Sequence, residues 1–503
     1  MFEGQPKGLY ALALANTGER FGYYTMLAVF ALFLRANYGL DAGVAGIIYS
    51  SFLMFVYFFP LIGGFMADKF GFGKMVTTGI LVMFAGYLLL SVPLGGDTLA
   101  LVVMLASLLF IGFGTGLFKG NLQVMVGDLY NEPKYADKRD SGFSIFYMAI
   151  NIGALFAPTA AIRIMEWAQQ NLGVSENDSY HFAFAVACAS LILSIAIYYL
   201  SRSTFRHVEG SNKKEKGEAV VDDLSPAETK ERLIALGLVF AVVAFFWMSF
   251  HQNGLSLTYF ANEFNETSAE GVKSMAFNVW NLVAIIFMVY ASFSLFQGKT
   301  AKSKGIAALV ILAALGFLAY NYQILEGSVE VKAPIFQQFN PFYVVALTPV
   351  SLAIFGWLAA HNKEPKAPRK IAYGMIVAAV AFCLMLYASL TLPSPNEQAA
   401  LGDAAPRVSS YWLISTYLIL TFGELLLSPM GISFVSKVAP PKYKGACMGG
   451  WFVSTAIGNQ LVMVGGILWG DLPLWCVWAV FAALCLLAAL FMFSIMKRLE
   501  KVA

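Results

Sequence analysis

Eleven stretches of this 503-residue chain run for 20 residues or more without a Lys, Arg, Asp, Glu or His: Ala42–Ala67, Met75–Gly96, Thr98–Phe118, Ser141–Ile162, Phe182–Ser201, Ser274–Gly298, Gly305–Leu325, Ala333–Ala360, Ile371–Asn396, Gly445–Gly470 and Leu472–Met496. About 20 apolar residues in a helix span the ~30 Å of bilayer hydrocarbon. Inside hydrocarbon every backbone N–H and C=O must be satisfied within the segment, so such runs fold as helices. Only 13% of the residues are charged, against ~25% in soluble domains. The chain is therefore expected to be an all-α polytopic membrane protein.

Three further spans carry polar residues. They are Gly8–Leu34, split by Glu19 and Arg20; Leu233–Phe260, with His251; and Val408–Ser436, with Glu424. Fourteen spans result, and a cleavable signal peptide is not expected ahead of Gly8. With alternating direction and the N-terminus inside, 26 Lys and Arg fall on the cytoplasmic side and 5 outside, with Arg20 and Lys119 inside spans. That asymmetry predicts both termini in the cytoplasm. The charged segment 202–232 is the one long cytoplasmic connection, and Ser225-Pro226-Ala227-Glu228 reads as a capped helix start after it. The expected division is a six-helix unit over 1–201, the linker 202–232, and an eight-helix unit over 233–503.

Five cysteines lie scattered through apolar runs with no CxxC pair, as small packing residues do. A net charge of +3 suggests no nucleic-acid partner. The spans hold no HExxH, no His/Cys cluster and no nucleophile elbow, which argues against an enzyme. A channel would need a repeated pore element, and none is visible.

Ionisable residues at mid-bilayer cost ~2.5–3.5 kcal/mol each and so point to function. Glu19 lies 12 residues past Lys7 and 16 before Arg35; Glu424 lies 17 past Arg407 and 13 before Lys437; His251 lies 19 past Arg232 and 12 before Glu263. All three are near mid-depth, and with Arg20 and Lys119 they should face one hydrated cavity. Asn16, Arg20 and Tyr23 share a helix face, and Tyr24 follows Arg20 at i, i+4. A guanidinium forks onto a carboxylate, and phenols orient it. Cations from the first half and Glu424 from the second make the cavity dipolar, which suits a zwitterion. An anion or neutral sugar would leave one pole unpaired. The alternative is that Glu19 and Arg20 pair with each other and only fix helix packing.

These residues sit in segments that resemble a known family. Glu19-Arg20-Phe21-Gly22-Tyr23-Tyr24 resembles the ExxERFxYY motif of the proton-coupled oligopeptide transporter (POT) family of the major facilitator superfamily. Gly63-Gly64-Phe65-Met66-Ala67-Asp68-Lys69 with Gly73-Lys74, Phe118-Lys119-Gly120-Asn121, Phe146 to Gly153, Phe246-Trp247 through Gln252, Asn340-Pro341, Gly423-Glu424-Leu425 with Ser428-Pro429, and Trp451 resemble its later motifs in order. The resemblance implies two six-helix bundles rocking about a central site, with the pair at 274–325 as accessory helices. It implies import of di- and tripeptides by proton symport, with the proton as coupling ion and no cofactor. Arg20 and Lys119 would meet the peptide carboxylate, lined by Tyr23, Tyr24 and Tyr57. Asn151 and Asn340 would contact the peptide backbone, Glu424 would hold the amine, and Trp451 would wall a side-chain pocket. Glu19, His251 and Glu424 are the candidates for proton coupling. A sibling reading is the same fold carrying an amino-acid derivative, nitrate or another small solute. Two positions depart from the family's pattern: its acids are Asn16 and His251 here. Asn16 cannot titrate, whereas His251 can. Compact loops favour a bacterial plasma (inner) membrane, with the lipid bilayer as surroundings and a monomer as the expected state.

Overall fold

The computed structural model describes residues 4–210 and 223–503. The basic cluster Lys213, Lys214 and Lys216 and the neighbouring Glu215 and Asp222 lie outside these. Among the described residues fourteen long helices carry the fold: α1 (Lys7–Tyr38), α2 (Ala42–Phe70), α3 (Phe72–Ser91), α4 (Thr98–Asp128), α5 (Arg139–Leu172), α6 (Glu176–Leu200), α7 (Pro226–Phe250), α8 (Val279–Gln297), α9 (Ala301–Gln323), α10 (Phe339–Ala360), α11 (Ala367–Ala388), α12 (Tyr411–Val438), α13 (Lys444–Leu461) and α14 (Leu474–Ser494). Twelve of the helical segments are long and apolar enough to cross a membrane. The other two members of the fourteen, α1 and α13, are the ones that bring Asn16, Glu19 and Arg20, or Asn459 and Gln460, into the apolar interior.

The span ends differ from those read off charge alone, because caps and breakers set them. Ser225 accepts from the Glu228 backbone N–H and Glu228 closes the capping box, so α7 begins seven residues ahead of the expected Leu233. The run expected over Leu233–Phe260 is broken: a 3₁₀ turn at His251–Gly254 separates α7 from Ser256–Glu263. The run to Asn396 stops at Ala388, and a separately capped short helix, Pro395–Leu401, follows. The run over Gly445–Gly470 divides at Val462 into α13 and the short helix Met463–Ile467.

Helices α1 to α6 pack chiefly on one another, with α3 on α4, α1 on α6, α2 on α4 and α1 on α5. In the second half α11 packs on α12 and α14, and α7 on α13 and α14. The accessory helices α8 and α9 form a hairpin held by Asn321 donating to Asn281 at 2.7 Å. Its connections are joined by two short antiparallel strands, β1 (Ser268–Ala269) and β2 (Val329–Glu330). The hairpin lies outside the core, with α8 against α10 and Trp280 against Phe156 of α5 at 5.3 Å. This order of two six-helix bundles and an accessory pair is the major facilitator fold.

The halves meet most closely where α2 runs along α13 and the Met463–Ile467 helix. Bonds across the seam gather at the end remote from the linker. Arg35 pairs with Glu263 at 2.5 Å, and Glu263 also accepts from Trp469 Nε1 at 3.0 Å. Tyr259 donates to the Ala42 carbonyl at 3.1 Å, and Lys332 pairs with Glu166 at 3.1 Å. Among the described residues, the two ion pairs joining the halves both sit at this end. Backbones approach within touching distance there: a Cβ on Gly466 would lie 2.5 Å from the Ala42 carbonyl oxygen.

Inside the first half, α2 and α4 are held together by small residues. A Cβ on Gly116 would lie 2.5 Å from Phe59 Cβ and 2.6 Å from the Phe59 carbonyl carbon. Gly116→Leu should therefore force α2 from α4, at a cost of roughly 1–3 kcal/mol or more. A lowered thermal midpoint of the purified protein checks this, and an unchanged midpoint would show that the two helices can separate freely.

Candidate functional site

The site begins with the polar stripe of α1. Glu19 and Arg20 are 1% and 3% exposed and face each other as a fork: Arg20 Nε donates to Glu19 Oε2 at 2.5 Å and Nη2 to Oε1 at 2.6 Å. Both guanidinium edges used here are thus satisfied inside the helix that carries them. The guanidinium carbon lies 4.3 Å from the Tyr23 ring centre and 6.0 Å from that of Tyr24. Those two rings meet edge to face at 5.1 Å. Asn16, on the same face, is buried. Of the two readings of Arg20, carboxylate ligand or internal partner, the internal pair is the one formed in this conformation.

A second cluster bridges the halves at mid-depth. Lys119 Nζ of α4 lies 4.1 Å from the centre of the Tyr57 ring of α2. No carboxylate lies within ion-pair distance of Lys119 among the described residues. The Tyr57 ring is 6.3 Å from that of His251, which stacks on Trp247 at 5.3 Å. His251 Nδ1 is 2.5 Å from Asn459 Oδ1 of α13. Asn459 Nδ2 in turn donates to the Leu53 carbonyl of α2 at 3.4 Å. Asn459 is not among the residues expected from the sequence; its signal there is the pair of adjacent amides, Asn459 and Gln460, in the middle of an apolar run.

The third cluster is the acidic pole. Asn340 of α10 donates to Glu424 Oε2 at 2.9 Å and to Thr421 Oγ1 at 3.0 Å, both on α12. The amide thus fixes the carboxylate without supplying a charge to neutralise it. Asn151 turns back to the Tyr147 carbonyl of its own helix at 3.0 Å. Trp451 is 4% exposed and lies against α12, where a Cβ on Gly431 would come within 2.0 Å of its ring. Tyr24 and Tyr57 lie close enough to feel the charges of both Arg20 and Glu424. The cationic and acidic poles, from separate halves, therefore flank one group of phenols. Tyr147 also feels the Glu424 charge, yet it is 46% exposed. In the sequence it stands inside the Phe146–Gly153 motif, with no signal of its own.

A sequence model of the POT family matches residues 73–221 and 316–465, more than half of the chain. The chain belongs to the POT family. It is a membrane transporter and not an enzyme. The α1 stripe and α7 lie outside the matched segments, so the polar features of those two helices rest on their own geometry. The uncharacterized transporter YclF of Bacillus subtilis (strain 168) is 31% identical, over 92% of this chain and 87% of its own. The di-/tripeptide transporter of Lactococcus lactis subsp. lactis (strain IL1403) is 26% identical, over 92% of this chain and 89% of its own. Among solved structures, a POT family transporter in complex with 5-aminolevulinic acid superposes with a TM-score of 0.74 at 21% identity, covering 99% of this chain and 98% of that one.

The Glu19–Arg20 pair generates a test. Glu19→Gln leaves a buried guanidinium without its counter-charge and should destabilise the fold by about 3–5 kcal/mol. Glu19→Gln combined with Arg20→Met should be less harmful than Glu19→Gln alone. Thermal unfolding of the three proteins in one detergent decides it, and a single variant as stable as the parent would show that the pair is not isolated from water.

Proposed function

We propose that this POT family member imports di- and tripeptides by proton symport, alternating the access of a central chamber between the two sides of a bacterial plasma membrane. The observation that carries the reading is the placement of unpaired opposite charges on separate halves, Lys119 against Glu424, on either side of Tyr57. A peptide has a carboxylate and an ammonium separated by a polar backbone, and it would neutralise both poles at once. The ammonium would displace the Asn340 amide from Glu424 or share that carboxylate with it. Asn151 and Asn340 would meet the peptide backbone, Tyr23, Tyr24 and Tyr57 would line the carboxylate end, and Trp451 would form one wall of a side-chain pocket. The relative from Lactococcus lactis named as a di-/tripeptide transporter supports this substrate class. A small anion such as nitrate is disfavoured, because Glu424 would repel it.

Proton coupling is assigned to Glu19, His251 and Glu424. Protonating Glu19 would remove the charge that holds Arg20 and so release the guanidinium toward a ligand. The same logic at Glu424 would weaken its hold on the amine. The expected topology has both termini in the cytoplasm, and the expected functional unit is the monomer.

Purified protein in lipid vesicles should accumulate labelled dialanine when the lumen is made alkaline relative to the outside, and should only equilibrate it without a gradient. Absence of both uptake and exchange would defeat the peptide assignment. Glu424→Gln should weaken binding of free-amine dipeptides about tenfold or more while barely altering N-acetylated ones, since a charge-assisted bond contributes roughly 1.5–3 kcal/mol. Equal losses on both ligand classes would refute the amine role.

A further inference from the structure

We propose that the cleft between the accessory helices α8 and α9, at the tip of their hairpin, binds one anionic phospholipid, with its phosphate on the lysines of the tip and an acyl chain laid along the cleft. The site lies outside the central chamber and does not depend on what that chamber carries.

Three observations carry it. First, the tip is purely cationic. Lys299, Lys302 and Lys304 stand within six residues, all three exposed, and the chain holds no Asp or Glu between Glu270 and Glu326. No carboxylate lies within ion-pair distance of any of the three among the described residues. Lysines alone would serve to anchor a hairpin at the membrane surface. Beside a pocket between membrane helices they form a seat for an anionic headgroup.

Second, such a pocket is present. A cleft of about 470 Å³ opens between the two helices, with Lys302 in its lining. Ala291 of α8 and Ala307 of α9, both buried, line it where the helices meet, and their small side chains leave the space unfilled. Tyr290 stands on the α10 side and donates to the Val345 carbonyl of that helix at 3.0 Å. The cleft is therefore framed by a fixed side chain.

Third, the lining changes along the cleft. Ser294, Thr300, Lys302 and Ser303 line it near the tip, and Phe287, Ile306 and Val310 line it farther from the tip. At 1.5 Å per residue, the helix from Thr300 to Val310 covers about 15 Å, one leaflet's share of the ~30 Å of hydrocarbon. Polar at the surface and apolar with depth is the order of groups in a phospholipid. A free phosphate would use the tip alone and leave the apolar part empty. A second copy of this chain seated there would bring six lysines together without an acid to neutralise them, which is unfavourable.

The occupant would also complete the packing of the hairpin. Helix α9 buries two residues, Ala307 and Ala314. A lipid in the cleft would add contacts to α8 and α9 together and hold the hairpin tip in the leaflet at the linker end.

The test uses purified full-length protein stripped of lipid in detergent, offered dioleoylphosphatidylglycerol or dioleoylphosphatidylcholine and weighed by native mass spectrometry. The wild type should retain one phosphatidylglycerol about tenfold or more tightly than one phosphatidylcholine. Lys299→Gln, Lys302→Gln and Lys304→Gln together should remove that preference. Lys134→Gln, Lys437→Gln and Lys497→Gln together, an equal loss of charge scattered over the same end, should keep it. Ser294→Trp, which plugs the cleft and spares the lysines, should lose the tightly held lipid. Equal retention of both lipids by the wild type, or the same loss in both triple variants, would overturn the proposal. Unchanged retention in Ser294→Trp would overturn the cleft as the seat of the chain. Displacement of the lipid by an equal concentration of glycerol 3-phosphate would assign the tip to a soluble phosphate, and a dimer dissolved by Ser294→Trp would assign the cleft to a second copy; either defeats the lipid assignment. Should Ser294→Trp fail to fold, the two triple variants, all at exposed positions, decide the matter.

Discussion

Charges placed in hydrocarbon must be neutralised, and the way this chain neutralises them organises everything else in the structure. Glu19 and Arg20 cancel within one helix through a bidentate fork sealed from solvent. Glu424 is held by the Asn340 amide, which carries no counter-charge, and Lys119 rests on a phenol ring. The pairing on α1 thus leaves one cation and one acid on separate halves as the unpaired poles. Interaction energy in a low-dielectric chamber grows as the surrounding water is removed. A ligand carrying both complementary charges would therefore be held most firmly when the two halves close around it.

The distribution of bonds across the seam gives that closing motion a direction. Arg35 with Glu263, Lys332 with Glu166, and the backbone contact at Gly466 tie the halves at the end away from the linker. At mid-depth the contact is softer, through Asn459 to the Leu53 carbonyl and Gln460 to Ser51 at 3.2 Å. Tyr147 lies near the Glu424 charge but is 46% exposed. Exchange of access then requires the two ion pairs at the end away from the linker to part. These are partly solvent-exposed, so water can replace each partner at modest cost.

Several elements could be read from the sequence because they follow from local rules. The charge-free runs marked the helices, and the Ser225–Glu228 box marked the start of α7. Glu19, Arg20, His251 and Glu424 stood out because ionisable residues are expensive at that depth. The breaks at His251–Gly254 and Val462 could not be read: the polar runs His251-Gln252-Asn253-Gly254 and Asn459-Gln460 lie at them, but a polar run inside an apolar segment does not by itself say that the helix stops. Asn459 and Tyr147 are silent in the sequence for a related reason: an amide or a phenol in an apolar stretch carries no signal until its neighbour is known.

What the sequence determines by itself is the membrane-spanning helical architecture and the inventory of chemical groups sunk within it. Hydrocarbon tolerates no unpaired backbone, and it penalises every charge regardless of what surrounds it. Tertiary structure decides which of those groups are already satisfied. Glu19 spends its charge on Arg20 and not on Lys119, His251 is turned by an amide 208 residues away, and Trp451 lies beneath Gly431. Such choices depend on distances of a few ångströms between helices remote in the chain, because hydrogen bonds and ion pairs act only at contact.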